Sequence, residues 1–475
     1  DIQIRYNAYL GTATDAASAT YNQGGVGASS RTIENRLQER VSVKDFGAVG
    51  DGTTDDTVAI QAAIDAANGR TGRCVVDLGG AAYKTTDELF IKTDSVLSNG
   101  TIVFDPAVDN KIALNIGKQD GTLFVRVGGI DNVVVDANAS TRTGLVAFNI
   151  SHWARACFIN NCRAVMNVGA PPTDRGAIGF SFYGVRADLA GSTGAYQNVV
   201  SGCSAYGCKT AYRLDTDGYG ESGYAPEMNG NVIRDCAAYA CRTHAVLLGE
   251  GAQDNTINVR ADTFQSDIGN GTTLSVVEVR GSFNYVNISE EVGSRADTQY
   301  TVRFEGTNPR YNHVDYMTQQ VVTEAVFDNT SGNGVGKNTA RFSQKDSQPD
   351  GGQLFAISGY ESVAAGTNSL YNSVMLPGPC KLTKVVARAT YSPSSYTRFY
   401  FAKNGSVDTL QRLTWSSSDG ANTTKTKLVD PTTHGTIDSR FIYDEGDFVD
   451  ITIHQDSSSG QFIRYTLFFM MLKKT

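Results

Sequence analysis

The chain has 475 residues, of which 19% are charged and 49 are glycine. This composition is typical of a turn-rich β protein that is long enough for two or three domains. The formal net charge is −8 without a cluster of lysine and arginine, which argues against nucleic acid and anionic membranes as partners. No apolar run reaches the roughly 18 residues of a membrane span, so we expect no membrane insertion. The sequence has no signal peptide and begins at Asp1 without Met, so we expect a truncated form of a longer protein.

The N-terminal residues 1–40 are polar and rich in glycine, serine and alanine, which predicts a neck or linker with a short helix over 32–38. A strand over 41–46 and a glycine-rich turn follow, and then a helix near 54–67 that we expect to cap a larger structure. Asp51, Asp55 and Asp56 are interpreted as capping residues rather than as a catalytic or metal-binding set. The predicted apolar face of the helix consists of Val58, Ala59, Ala62, Ala63 and Ala66.

The central residues 175–312 repeat one pattern. Five short apolar runs each end in glycine, at intervals of 34, 33, 30 and 25 residues: Gly184, Gly218, Gly251, Gly281 and Gly306. A period of about 20–50 residues with variable insertions indicates a solenoid. Because each unit is made of strands, the sequence predicts an all-β fold with a parallel β-helix over 41–340. Further short strands are predicted at 74–78, 89–91, 100–104, 112–116, 123–127 and 133–135.

Two residue types recur in the repeat. Asparagines recur at strand starts, and we expect their amides to form a structural hydrogen-bonded ladder: Asn132, Asn198, Asn231, Asn255, Asn284 and Asn312. Six of the eight cysteines form pairs five residues apart: Cys157 and Cys162, Cys203 and Cys208, Cys236 and Cys241. This spacing does not suit zinc, and we predict reduced cysteines stacked in the interior of a protein made in a reducing compartment.

A polar, glycine-rich boundary separates the predicted parallel β-helix, here also called the coil, from the C-terminal residues 350–475. Strands are predicted there at 384–390, 398–402, 448–454 and 464–471, and they indicate an antiparallel β-sandwich.

The start of the coil resembles a known family. The run VKDFGAVGDGTTDDTVAIQAAI over 43–64 is similar to the N-terminal signature of pectate-lyase-like β-helices, which are right-handed and single-stranded. Together with YNQGGVG at 21–27 and ENRLQE at 34–39, it most resembles bacteriophage tailspikes that act as capsule depolymerases. The resemblance implies a homotrimeric virion spike made in the host cytoplasm. It would attach to the phage tail or baseplate through its N-terminus and bind and cleave bacterial surface polysaccharide, with the C-terminal unit assisting trimerisation or sugar binding.

Outward residues of the stacked runs are expected to align in rows. One predicted row is Tyr183, Asp217, Glu250, Arg280 and Glu305, and its neighbour is Ser181, Asp215, Leu248, Glu278 and Arg303. Adjacent rungs of a β-helix lie about 4.8 Å apart, so three carboxylates should cluster: Asp215, Asp217 and Glu250. Insertions at 167–175, 186–197 and 219–229 interrupt the period, and we expect them to form loops on the working face.

Clustered carboxylates suit glycoside hydrolysis, since one carboxyl must donate a proton while another activates water. We predict Asp215 as the water-activating base, with Asp217 or Glu250 as the acid. The predicted substrate-binding residues are Tyr183, Arg213, Tyr219, Glu221, Tyr224, Glu227 and Arg280, and Glu221 and Glu227 are also rival acids. The alternative is an ordinary surface salt-bridge ladder of carboxylates and arginines. His244 is interpreted as structural.

Three functions therefore compete. An endo-glycosidase that hydrolyses capsule or O-antigen is favoured. A polysaccharide lyase acting by β-elimination on a uronate remains open, because arginines lie near the carboxylates. A polysaccharide adhesin without activity would have the same coil. No metal or cofactor is predicted for any of the three.

Overall fold

The computed structural model describes residues 19–68, 70, 72–117, 124–151, 154–166, 177–184, 194–216, 228–262, 275–291, 300–306, 311–318, 326–330, 337–344, 354–363, 370–375, 380–389, 396–403, 412–416, 418, 424–428, 442–443, 448–455 and 461–471. Its helices are α1 (Ile33–Leu37), a 3₁₀ helix (Val43–Phe46) and α2 (Thr57–Asn68). A short antiparallel pair, Thr20–Tyr21 with Arg31–Thr32, precedes the coil. Within these ranges no helix is long and apolar enough to cross a membrane.

Three sets of parallel strands wind around one core. The five-stranded sheet consists of Val125–Arg126, Ala154–Arg155, Ala195–Tyr196, Met228–Asn229 and Ala252–Gln253. The nine-stranded sheet consists of Leu89–Ile91, Ile112–Ile116, Val146–Ile150, Ile178–Gly184, Thr210–Thr216, His244–Leu248, Ser275–Val279, Tyr300–Gly306 and Val326–Thr330. The parallel strands of the third set, here called the long sheet, are Arg40–Ser42, Asp51–Asp55, Cys74–Asp77, Ala82–Thr85, Ser95–Phe104, Gly129–Asp136, Phe158–Asn160, Arg163–Val165, Val199–Ser201, Ser204–Tyr206, Val232–Tyr239, Thr256–Asp262, Tyr285–Glu291, His313–Thr318 and Lys337–Gln344.

The successive rungs stack in register, which confirms the predicted all-β class and the parallel β-helix. Alternate side chains of each strand point inward, so equivalent residues of neighbouring rungs meet in the core. Phe148, Phe180 and Tyr212 are direct partners in the nine-stranded sheet. Their rings stack with centroids 4.8 Å and 5.3 Å apart, and all three side chains are fully buried. Stacking of this kind lets every rung bury its apolar face against the next.

The capping helix is confirmed, but it begins at Thr57 rather than at the predicted Thr54. Residues Asp51–Asp55 instead form a strand that pairs with Ala82–Thr85. Asp56 is buried and its carboxylate accepts the backbone N–H groups of Val49 and Gly50, so it closes the turn before the helix.

The predicted apolar face of α2 is correct for Ala63, which is buried in the core, and for Ala59, which is partly buried and packs against it, but it omits the two isoleucines. The residues that pack into the core are Ile60, Ala63, Ile64 and Ala67, whereas Val58 is 83% exposed. The spacing i, i+3, i+4 and i+7 of these four residues gives one continuous helix face, and the two isoleucines offer more apolar area than the alanines chosen from the sequence.

The asparagine ladder is confirmed for five of the six predicted members. Amide-to-amide hydrogen bonds of 2.9 to 3.1 Å join Asn198, Asn231, Asn255, Asn284 and Asn312, which are all buried and each directly precede a strand of the long sheet. Asn132 is not a member. It lies at an exposed bend within Gly129–Asp136 with φ +54°, and its amide donates to Asn99 instead.

The ladder predicts a large local effect of Asn255→Ala on stability. Asn255 Oδ1 accepts the backbone N–H and the side-chain amide of Asn231 at 3.0 and 3.1 Å, and Asn255 Nδ2 donates to the Met228 carbonyl at 2.7 Å. Each buried group left without a partner costs about 1–3 kcal/mol, so we expect a loss of at least about 3 kcal/mol in a urea titration. Asn258→Ala, at an exposed position of the same strand, is the matched control. Equal stability of the two variants would contradict the structural role of the ladder.

The cysteines are confirmed as core residues. Seven have described side chains, and all seven are free thiols buried in the coil: Cys74, Cys157, Cys162, Cys203, Cys208, Cys236 and Cys241. Burial raises the pKa of the Cys157 thiol to about 11. These thiols therefore behave as small apolar side chains rather than as nucleophiles.

The chain changes from parallel to antiparallel pairing after Lys337–Gln344, which pairs with Leu354–Val363. The antiparallel strands that extend this pairing are Leu354–Val363, Gln461–Met471, Cys380–Ala389, Thr424–Leu428 and Ile442–Tyr443. A separate four-stranded antiparallel sheet contains Leu370–Met375, Phe448–Gln455, Tyr396–Lys403 and Arg412–Ser416. The predicted antiparallel C-terminal architecture is thus confirmed.

Candidate functional site

The outer face of the nine-stranded sheet carries two rows of mostly polar residues. The first row follows the register of direct strand partners: Ser181, Arg213, Leu247, Glu278 and Arg303. In the second row Tyr183 is the direct partner of Asp215. The backbone hydrogen bonds Gly249 N to Leu214 O and Arg280 N to Leu248 O continue this row through Gly249, Arg280 and Glu305.

The predicted rows are therefore wrong in register at two rungs. Arg213 lies where Asp215 was predicted, and Asp215 lies where Asp217 was predicted. Leu248, predicted to face outward, is fully buried, and Leu247 takes the outward position. The error arose because the rungs were aligned on their final glycines. Gly184 pairs with Thr216 rather than with Gly218, since the turns after the strands differ in length.

The Asp215 side chain lies over Gly249 of the next rung. A Cβ atom added to Gly249 would come within 1.9 Å of Asp215 Oδ1, so only glycine leaves room for the carboxylate at this position. Beyond Gly249 lies Arg280. Burial lowers the pKa of Arg280, but the charge and hydrogen bond of Glu278, with smaller contributions from the charges of Glu305 and Asp215, raise it above its ordinary value. Asp215 is thus placed between the Tyr183 rung and the Arg280 rung, with a cation on one side.

Glu250 reaches the same neighbourhood from the following turn. A Cβ atom added to Gly306 would lie 3.1 Å from Glu250 Oε1 and 3.3 Å from Arg280 Cβ. Glu250 and Arg280 therefore share the space above Gly306. Glu250 Oε1 and Arg280 Cβ thus lie near each other over Gly306, and the charge of Asp215, 35 positions before Glu250 in the sequence, acts on the Arg280 guanidinium.

Glu278 anchors the cationic groups of the site. Its carboxylate accepts from Arg280 Nε at 2.6 Å and contacts His244 Nε2 at 3.2 Å, and Arg303 Nη1 lies 3.7 Å away. The Glu278 side chain is only 3% exposed. Burial alone would raise the pKa of Glu278, but the hydrogen bond from His244 and the charge of Arg280 outweigh it and lower the pKa to about 2. Glu278 is therefore an ionised anchor and unsuited to donate a proton.

The sequence does not predict this anchor. His244 is interpreted there as structural, and Glu278 is placed only in a surface row. The signal that identifies it is the correct register, because that register makes Glu278 the direct partner of Arg303 and brings it beside Arg280.

Tyr183 and Arg213 form a stacked pair on the rungs below. Arg213 Cζ lies 4.2 Å from the centroid of the Tyr183 ring, and Arg213 Nε and Nη2 donate to Ser181 Oγ at 3.2 and 3.1 Å. A cation held flat on an aromatic ring presents both an apolar edge and hydrogen-bond donors. Such a surface suits a sugar ring with its hydroxyl groups.

Five predicted site residues lie outside the described residues: Asp217, Tyr219, Glu221, Tyr224 and Glu227. The structure brings together Asp215, Glu250 and Arg280, and it places Tyr183 and Arg213 on the adjoining rungs. In the described part of the chain, no three His, Cys, Asp or Glu side chains lie close enough to hold a metal ion.

Two Azotobacter vinelandii proteins are similar to parts of this chain. Alginate lyase 7 is 47% identical over 62 residues, which cover 13% of this chain and 6% of the relative. Mannuronan C5-epimerase AlgE5 is 37% identical over 116 residues, which cover 22% of this chain and 12% of the relative. The chain thus spans only a small part of the length of these relatives.

Among solved structures, the tailspike protein of E. coli bacteriophage HK620 in complex with pentasaccharide aligns over 97% of this chain and 98% of its own, with 10% identity and a TM-score of 0.36. A family model described as rhamnogalacturonase A/epimerase, pectate lyase-like, matches residues 40–104. That segment contains α2 and the first strands of the long sheet. The predicted resemblance to pectate-lyase-like β-helices is therefore confirmed for the segment that begins the coil.

Proposed function

We propose that this chain is a tailspike-type depolymerase that binds bacterial surface polysaccharide on the outer face of the nine-stranded sheet and hydrolyses it. The observation that carries the proposal is that Asp215 and Glu250, which are distant in the sequence, both lie near Arg280. The pectate lyase-like match over residues 40–104 and the similarity to alginate-acting enzymes support a polysaccharide as the substrate class.

Hydrolysis assigns one role to each carboxyl group. Asp215, whose charge acts on the nearby Arg280, takes a proton from the attacking water in this proposal. The oxygen of that water bonds to the anomeric carbon as the glycosidic C–O bond breaks. Glu250 or Asp217 donates the proton that the leaving oxygen needs. Tyr183 and Arg213 hold the adjoining sugar, with Tyr219, Tyr224, Glu221 and Glu227 proposed as further contacts.

A lyase is the second candidate, because the same face concentrates cations. Arg280 and Arg303 both contact Glu278, and Arg213 lies two rungs away in the same row. In β-elimination a cation stabilises the negative charge that develops on a uronate carboxylate after proton removal. The alginate lyase and epimerase similarities favour this alternative, since both names refer to enzymes of uronate polymers.

Product analysis distinguishes the candidates. Purified capsules and O-antigens from strains in the phage host range are incubated with the protein, and the products are analysed by mass. For hydrolysis we expect oligosaccharides that have gained one water per cleavage and show no new absorbance in the near ultraviolet. An unsaturated terminal sugar would identify a lyase instead. Binding without any shortening of the polymer would identify an adhesin and contradict both enzymatic proposals.

The proposed assembly follows from the resemblance of residues 21–64 to bacteriophage tailspikes. Residues 1–40 form the neck towards the phage tail or baseplate, residues 41–340 form the coil, and residues 350–475 form the C-terminal unit of a homotrimer in the virion. Mass determination of the native protein in solution tests this arrangement, and a monomer at micromolar concentration would contradict it.

A further inference from the structure

Three arginines from separate rungs converge at the corner where the five-stranded sheet turns into the long sheet. Arg126 and Arg155 end neighbouring strands of the five-stranded sheet and are direct partners in parallel register. Arg73 precedes Cys74–Asp77 on the long sheet, and its guanidinium carbon lies 5.3 Å from the ring of Phe158, which begins the strand after Arg155. We call Arg73, Arg126 and Arg155 the arginine corner.

Each guanidinium of the corner is held against an aromatic ring. The distances from Cζ to the ring centroid are 5.3 Å for Arg73 and Phe158, 5.3 Å for Arg126 and Phe124, and 5.0 Å for Arg155 and Tyr196. The Phe158 ring lies across Gly129, where an added Cβ would come within 2.3 Å of the ring. These contacts order the side chains without neutralising them, because a ring leaves the positive charge in place.

Among the residues that the structure describes, no carboxylate balances the charge of the corner. Within the described ranges, none of the three arginines has a carboxylate oxygen within 4.0 Å. Asp94, whose backbone N–H donates to the Arg126 carbonyl, makes no ion pair with them either. Like charges placed directly opposite each other on neighbouring strands destabilise a sheet, yet Arg126 and Arg155 occupy such positions in a protein of net charge −8.

The row that contains Arg126 and Arg155 continues with neutral polar residues. Tyr196 pairs with Arg155, and Asn229 and then Gln253 are the next direct partners. Adjacent strands lie about 4.8 Å apart, so the row forms a straight track along the coil axis with cations at one end and hydrogen-bonding side chains along the rest. A track of this kind matches a polymer that carries both anionic groups and hydroxyl groups.

We propose that the arginine corner and this track bind a strand of acidic polysaccharide. Planar guanidinium groups bind the oxyanions of sugar carboxylates, sulfates or phosphates with two parallel hydrogen bonds, while Asn229 and Gln253 bind hydroxyl groups. The track lies on the five-stranded sheet and the corner at its edge with the long sheet, whereas the carboxylate cluster lies on the nine-stranded sheet. It therefore goes beyond the proposed hydrolytic site, and it adds affinity for a polymer that reaches both faces.

Binding of defined polymers to the full chain tests the proposal. The probes are mannuronate oligosaccharides, dextran sulfate, neutral dextran and oligodeoxythymidylate, measured by calorimetry at low ionic strength because salt screens exposed charges. The test variant is Arg126→Gln with Arg155→Gln. The control variant is Arg163→Gln with Arg234→Gln, which removes the same charge from exposed positions on the long sheet.

We expect both acidic glycans to bind and the test variant to bind them at least about tenfold more weakly. The control variant should stay within about twofold of the unmodified protein. Binding of mannuronate alone would restrict the ligand to carboxylated sugars, and binding of dextran sulfate alone would restrict it to sulfated or phosphorylated ones. Either result supports the oxyanion site.

Other outcomes overturn the site. Unchanged affinity of the test variant, or an equal loss in the control variant, would show that the corner makes no specific contact. Tighter binding of oligodeoxythymidylate than of either acidic glycan would assign the corner to nucleic acid. Asp215→Asn should retain the binding, so failure of the arginine corner and failure of the hydrolytic proposal give different results. Loss of binding in Asp215→Asn would place the ligand on the nine-stranded sheet instead.

Discussion

Asp215→Asn is expected to lower the rate of polysaccharide cleavage by at least about 100-fold while the protein remains folded. The amide keeps the size of the side chain above Gly249 but cannot take a proton from water, and a positioned base contributes about 10²- to 10⁴-fold to such reactions. Glu250→Gln should cause a loss of similar size if Glu250 is the acid. The measurement is the initial rate of chain shortening on the polysaccharide identified by product analysis.

A matched control separates the chemistry from a general loss of charge. Asp131→Asn removes one partly exposed carboxylate from the long sheet, a different sheet from the one that carries the two rows. It should leave the rate within about twofold of the unmodified protein. Full activity of both Asp215→Asn and Glu250→Gln, with normal assembly, would exclude the proposed carboxylate mechanism. A loss in Glu250→Gln alone would assign the base to another group.

Glu278→Ala is expected to produce the largest loss of stability among single substitutions at the site. The substitution leaves the cationic Arg280 and Arg303, and the His244 ring, without the carboxylate that joins them. Removal of one partner from a buried ion pair costs about 3–5 kcal/mol. We expect the lower end of this range, because Arg280 is partly exposed and Arg303 still pairs with Glu305. The free energy of unfolding from a urea titration measures this loss. Asp105→Ala breaks a 3.0 Å pair with Lys84 that is 44% exposed at the aspartate, and it should cost at most about 1 kcal/mol.

The lowered pKa of Glu278 predicts how the stability of the folded protein depends on pH. The pKa of Glu278 is lowered from 4.5 to about 2 in the folded protein, so its stabilising contribution is complete above about pH 4.5 and is lost as the pH falls towards 2. A shift of this size corresponds to about 3 kcal/mol. The difference in unfolding free energy between the unmodified protein and Glu278→Gln should therefore be constant above about pH 5 and shrink below it. A difference that does not change with pH would contradict the ion network.

Local sequence features are sufficient to predict the kind of fold. Recurrent asparagines at strand starts, short apolar runs and a period of 25 to 34 residues are enough to predict a parallel coil, because each rung must bury its apolar side chains on the next. The same recurring spacing predicted the buried cysteines and five members of the asparagine ladder. These features depend on residues that occupy equivalent positions in every rung.

The exact register between rungs was decided only by the tertiary structure. Turns of unequal length follow the strands, so alignment on Gly218 displaced Asp215 by two residues and hid the pairing of Glu278 with Arg303. In a β-strand a shift of one residue exchanges the inward and outward faces, as happened at Leu247 and Leu248. Single-sequence periodicity does not resolve such shifts.

Contacts between distant residues were likewise beyond the sequence. Arg73, Arg126 and Arg155 are spread over 83 positions and form no basic run, so composition suggested no cationic surface at all. Winding of the chain superimposes their rungs and gathers their charges at one corner. Asp215, Glu250 and Arg280 meet for the same physical reason, since a solenoid converts a separation of about 30 residues along the chain into the spacing of neighbouring strands.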